Sequence, residues 1–120
     1  MIKEAYVSFE LAKLLKERGF VESCYGSYSV RSKEFHLDTT RPCNNGGIFL
    51  YSAPTHQMAM AWLREVHNLQ IQITPIISRH KDWTFGIYKE FNPLTIDLVC
   101  FPTYEQAVET ALKYSLENLI

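Results

Sequence analysis

Leu11, Ala12, Leu14 and Leu15 recur at helical spacing and are interleaved with Glu10, Lys13, Lys16 and Glu17, so one stripe is apolar and the rest is wet. This predicts a first helix over Ser8 to Arg18. Ser8 is suited to accept a hydrogen bond from an orphan N–H at the helix start. Gly19 and Phe20 follow the last turn, where a left-handed residue and an apolar contact back onto Leu15 close a Schellman ending. The period then changes to two. Tyr25 to Val30, Glu34 to Asp38 and Ile48 to Ser52 read as strands, with Phe35 and Leu37 on one face and a polar loop from Thr39 to Gly47 before the third. Helical spacing returns after Thr55, with Ala59, Trp62, Leu63 and Val66 as the core stripe of a second helix that runs to about His67. Asn68 follows as its left-handed end.

The same sequence of periods comes again. Leu69, Ile71 and Ile73 alternate with Gln70, Gln72 and Thr74, and Pro75 places that strand at an edge or ends it in a bulge. Trp83, Phe85 and Ile87 alternate with Thr84, Gly86 and Tyr88. Asn92–Pro93 reads as a turn, and Thr95 to Cys100 as a further strand. Thr103 and Gln106 form a capping box for a third helix reaching the C-terminus, with Tyr104, Ala107, Val108, Ala111, Leu112, Ser115 and Leu119 on one face. The expectation is a single α+β domain: an N-terminal helix, then two β-β-β-α units, with an antiparallel sheet of about six strands and the helices mostly on one face. Leu50/Leu98, Pro54/Pro102, Thr55/Thr103 and Ala59/Ala107 match at one offset, which suggests a pseudo-repeat of 24–68 and 69–120.

Composition narrows the class. The 120 residues are 47% hydrophobic, with 12 Lys+Arg against 13 Asp+Glu and a net charge of −1. The chain is too apolar for disorder and has no global basic field for nucleic acid. No long apolar run is present, and the start Met1-Ile2-Lys3-Glu4 carries no secretory signal, so a cytoplasmic protein off the membrane is expected. Cys24, Cys43 and Cys100 include no C-x-x-C pair and read as reduced thiols, Cys24 and Cys100 as small buried hydrophobes near strand ends.

Three segments carry a resemblance: Ser8 to Phe20; Ser52-Ala53-Pro54-Thr55-His56-Gln57 with Trp62-Leu63-Arg64-Glu65; and Thr103-Tyr104-Glu105-Gln106-Ala107. Together they resemble a group of small uncharacterised proteins encoded in prophages and mobile elements of gut bacteria. The matching residues are caps, core positions and helix starts. The resemblance therefore implies an accessory role but carries over no catalytic residue.

Tests for chemistry point the same way. His36, His56, His67 and His80 lack metal-ligand spacing, and no cofactor motif occurs, so neither metal nor cofactor is expected. Asn44-Asn45-Gly46-Gly47 leads into a strand, not a helix, and reads as a flexible turn rather than a phosphate cradle. Residues 8–67 share the α-β-β-β-α order of a double-stranded RNA-binding domain, but the second helix starts on Thr55-His56-Gln57-Met58, without the cations that module uses. A small enzyme would have to use Cys43 with His36.

The leading expectation is a non-catalytic protein that binds a protein partner or itself, with a nucleic-acid-binding module and the Cys43/His36 enzyme as alternatives. Its candidate surface is Tyr28, His36, Thr84 and Tyr88 on the uncovered sheet face, with Arg79, His80 and Lys81 in a neighbouring turn. Aromatics motivate it: Tyr25, Tyr28, Phe49, Tyr51, Tyr88 and Phe91 are placed in no core by pattern, and Tyr is enriched in binding hot spots.

Overall fold

A computed structural model of the chain describes residues 2–77, 81–94 and 99–120. These contain three helices, α1 (Phe9–Glu17), α2 (His56–His67) and α3 (Tyr104–Asn118), and six strands, β1 (Gly26–Ser29), β2 (Phe35–Leu37), β3 (Leu50–Ser52), β4 (Leu69–Pro75), β5 (Trp83–Lys89) and β6 (Asn92–Pro93). The α+β class holds. The six-stranded sheet does not: the strands form two three-stranded antiparallel sheets, ordered β2-β1-β3 and β4-β5-β6. The edges explain why. A wider sheet needs two edges that each offer a run of ladder groups. Here β2 and β3 are three residues long, β6 is two, and β4 ends in Pro75, which has no N–H to donate. The chain divides into two compact units, Met1–Gln57 and Met58–Ile120.

In the first unit α1 packs on β1 and β3. Its ends are those the sequence predicts. Ser8 Oγ accepts from Leu11 N–H at 3.3 Å. Gly19 adopts φ 91°, and the N–H groups of Gly19 and Phe20 donate to the carbonyls of Lys16 (3.2 Å) and Leu15 (2.9 Å), the paired bonds of a Schellman ending. Leu11, Ala12, Leu15 and Phe20 are buried. An extended N-terminal segment, not expected from the pattern, pairs Ala5–Val7 with Pro54–His56: Val7 N–H donates to Pro54 O at 3.1 Å and His56 N–H to Ala5 O at 2.9 Å. Gly26 is required where it stands, because a Cβ there would lie 2.7 Å from the Ala53 carbonyl oxygen.

The second unit is more regular. β4 and β5 pair over seven residues, from Leu69↔Lys89 to Pro75↔Trp83, with β4 on the edge as Pro75 requires. α3 covers the face that carries Trp83, Phe85 and Ile87: Ile87 is fully buried, and the rings of Trp83 and Tyr104 meet edge-on at 5.2 Å. Thr103 Oγ1 accepts from Gln106 N–H at 3.1 Å, as a cap should. Asn68 takes φ 57° at the end of α2.

Three local expectations fail here. Val66, assigned to the core stripe of α2, is 57% exposed, because α2 buries Ala59, Met60, Trp62 and Leu63 on a narrower face. Asn92–Pro93 is not the turn but the strand β6. The turn is Glu90–Phe91, both left-handed at φ 51° and 66°, as a two-residue type I′ hairpin demands. Cys100 is exposed rather than buried, since it lies outside any strand. The strand expected from Thr95 falls mostly outside the described residues.

Candidate functional site

The first sheet has two unlike faces, and its register assigns them. Tyr28 pairs with Phe35 on one side and Tyr51 on the other, so these three side chains share a face. That face meets α1. Phe9 contacts Tyr28 edge-on at 5.7 Å and Tyr51 at 5.5 Å. Phe35 contacts Tyr28 at 5.3 Å and Tyr6 at 5.0 Å. Tyr28 Oη donates to the Val7 carbonyl at 2.7 Å. The ammonium groups of Lys16 and Lys33 lie over Tyr51 and Phe9, at 5.4 and 5.5 Å from the ring centroids. Rings stacked this way contribute beyond their buried area. Tyr28 and Tyr51 therefore belong to a structural aromatic layer. Phe35 joins it from the sheet edge and stays partly exposed.

The opposite face carries Ser27, paired with His36 and Ser52, and Leu50. Tyr28 and His36 are thus on opposite faces rather than one, because they sit at positions of opposite parity in the ladder. The loop between β2 and β3 folds over this second face. Together they enclose a groove of about 530 Å³, lined by Ser27, His36 and Asp38 on the sheet side, Arg41 to Asn44 and Gly46–Gly47 on the loop side, and Phe49 and Leu50. That volume lies in the range of natural ligand sites.

The loop is pinned, contrary to the flexible turn its composition suggests. Asp38 Oδ1 accepts from the Thr40 N–H at 2.9 Å and the Thr40 hydroxyl at 2.7 Å. Cys43 and Cys24 exchange both backbone bonds, at 2.8 and 2.7 Å, and Ser52 Oγ donates to the Cys43 carbonyl at 2.8 Å. Asn45, left-handed at φ 65°, accepts from Ser52 N–H at 2.7 Å and donates to Phe20 O at 2.8 Å. Lys16 Nζ donates to the Gly47 carbonyl. A polar stretch with glycines is held by side chains that reach across the unit.

The charges in the groove are mixed. The Thr40 hydroxyl, then its N–H, hold the Asp38 carboxyl below its usual value, with Arg41 assisting. His36 Nε2 stands 4.0 Å from the Glu34 carboxylate, both exposed. His36 and Cys43 line the same groove, but no hydrogen bond joins them among the described residues.

The rim is apolar and wet. Ile48 is 77% and Phe49 72% exposed, and Leu50 next to them is exposed as well. Phe49 was among the aromatics that the pattern placed nowhere. Its neighbours Ile48 and Leu50 form with it a run of three exposed apolar residues, a run present in the sequence but read there only as the start of the third strand.

The remaining candidates lie in the second unit or outside the described residues. Thr84, Gly86 and Tyr88 share the face of β5 turned away from α3, as expected. Thr84, however, is only 8% exposed. The Tyr88 ring folds back over Gly86, its hydroxyl 3.0 Å from where a Cβ would stand, while Gln72 and Thr74, paired with Gly86 and Thr84 on the same face, are exposed. Lys81 is exposed. Arg79 and His80 are outside the described residues. Among those described, no helix is long and apolar enough to cross a membrane. No family model matches the chain, and neither a curated protein nor a solved structure matches it.

Proposed function

We propose that this protein acts by binding, not catalysis, and that the groove between the first sheet's face opposite α1 and the β2–β3 loop takes an extended segment of a protein partner. The observation that carries this reading is the pairing of a 530 Å³ groove with a rim of exposed Phe49 and Leu50. Exposed apolar groups contiguous with a cleft that carries a few polar groups mark recognition sites. The lining suits a peptide. The Ser27 hydroxyl, the Asn44 amide and the Gly46–Gly47 backbone offer bonds to main-chain groups, while Pro42, Phe49 and Leu50 offer contacts to apolar side chains. Asp38 and Arg41 oppose each other in sign, which disfavours a polyanion such as nucleic acid. An accessory role in a prophage or mobile element accords with the resemblance of the three segments quoted above.

The test is selection from a peptide library displayed on phage, followed by titration of the selected peptides against the wild-type protein and the Phe49→Asp variant. Loss of roughly tenfold or more in affinity, about 1.4 kcal/mol, supports the reading. Selected peptides that bind the variant equally well overturn it. So does a concentration-dependent dimer that Phe49→Asp abolishes, which would make a second copy the occupant.

A second reading has one observation behind it: Cys43 and His36 line the same groove. Thiol catalysis there requires a depressed Cys43 pKa. An alkylation rate that follows an ordinary thiol titration removes it.

A further inference from the structure

Cys24 and Cys43 stand opposite each other in an isolated antiparallel pairing just ahead of β1. Each donates its N–H to the other's carbonyl, at 2.8 and 2.7 Å. Residues that exchange both bonds have Cα atoms about 5.5 Å apart, and their side chains leave the ladder on the same side. Disulfide-linked cysteines most often show a Cα separation of about 5.5–6 Å. The backbone therefore brings the two sulfurs into register before any bond between them, and further bonds at Ser52 and Asn45 keep the loop in place.

We infer that Cys24 and Cys43 form a reversible thiol–disulfide site, closed by a low-molecular-weight disulfide such as oxidised glutathione, that locks the groove loop to the chain ahead of β1. Closure takes two exchanges. The Cys43 thiolate attacks one sulfur of the reagent; the reagent's S–S bond breaks, and one thiolate leaves and takes up a proton. The Cys24 thiolate then attacks the Cys43 sulfur of the mixed disulfide and expels the second thiolate. Two protein thiols are oxidised to one disulfide, and the reagent is reduced to two thiols.

The order follows from burial. Cys43 lines the groove and is half-buried, whereas Cys24 is buried. The Cys24 thiol donates to the Glu22 carbonyl at 3.5 Å. Burial, and then the neighbouring Cys43 and Glu22, push its pKa up to about 12. The second exchange is therefore the slow one near neutrality, and its rate rises about tenfold per pH unit as Cys24 ionises. Opposed Cβ atoms about 4.5–5.5 Å apart must also draw in to about 3.8 Å. A thiol reductant reverses both exchanges and reopens the loop.

The experiment uses the full chain with Cys100→Ser, which removes the exposed thiol. Protein is incubated with oxidised glutathione at about pH 7 and about pH 9, alkylated, digested without reductant and weighed. The expected product has lost two hydrogens, yields a Cys24–Cys43 linked peptide, forms faster at the higher pH and reopens with dithiothreitol. Cys24→Ser stops at the Cys43–glutathione adduct. Accumulation of that adduct in the Cys24-containing protein at the higher pH, with no linked peptide, overturns the inference. So does an unmodified Cys43. The readout is mass alone and needs no ligand in the groove, so its failure is separate from failure of the binding reading.

Discussion

The two sheets share an element order but not a plan. In β2-β1-β3 the first strand of the group is central, and in β4-β5-β6 the middle one is. The first sheet has strands of four, three and three residues, the second of seven, seven and two. The second sheet's long hairpin has α3 on one face and the Tyr88 ring folded onto the other. The first has α1 and an aromatic layer on one face, while a pinned loop stands over the other and leaves a groove. Short strands in the first leave room for a loop that Asn45 and Cys43 hold in place beside a groove. The candidate binding groove thus lies in the less regular half.

The largest effect expected from this contrast is a split between stability and binding. Ile87→Ala empties a fully buried position and should cost about 2–5 kcal/mol in urea unfolding. Phe49→Ala, at a position 72% exposed, should stay within about 0.5 kcal/mol of wild type while weakening peptide binding. Equal destabilisation by the two would break the contrast.

Next comes Tyr28→Phe, which removes the bond to Val7 and leaves the ring. A loss of about 0.5–1.5 kcal/mol is expected, and no loss of peptide binding, because Tyr28 faces α1 and not the groove. Binding lost with the fold intact would move the site to the other face. Smaller still is the Glu90–Phe91 turn, where two non-glycine residues sit at positive φ. Phe91→Gly should raise stability by up to about 1 kcal/mol, read from the shift in the urea midpoint.

The smallest effect belongs to Asp38. Its carboxyl is held below the ordinary value of 3.8, so the folded state favours the ionised form. The stabilisation is present above that pH and is lost as pH falls through the lowered folded value. Thr40→Val removes the first cause, and the Asp38 titration followed by NMR should move up towards 3.8. An unmoved titration would contradict the loop geometry.

Helix ends were legible in the sequence because caps are local: Ser8, Gly19, Asn68 and Thr103 each act within a few residues. So was the edge position of β4, from Pro75. The division into two sheets was not, since strand pairing depends on the lengths of edges and not on the alternation that marks a strand. The Glu90–Phe91 turn was hidden because neither residue is the Asn or Gly that advertises positive φ, and Asn92–Pro93 beside it drew the assignment away. The groove was hidden for a related reason. Asn45 binds Phe20 and Ser52, and Cys43 binds Cys24, across separations no local pattern records. That His36 and Cys43 could approach through the 39–47 loop was legible, and both line the groove; the long-range bonds that fix the loop were not. Tyr28 was misplaced because its face depends on a register that alternation alone leaves open.

The central claim is that the face of the first sheet opposite α1, with the loop over it, is the binding face. The most direct measurement is the map of backbone amide shifts in isotope-labelled protein on titration with a selected peptide. The predicted changes cluster at Ser27, His36, the loop from Arg41 to Gly47, Phe49 and Leu50. Changes centred instead on Gln70, Gln72 and Thr74 of β4, or on the α1 face at Tyr28 and Tyr51, would contradict it.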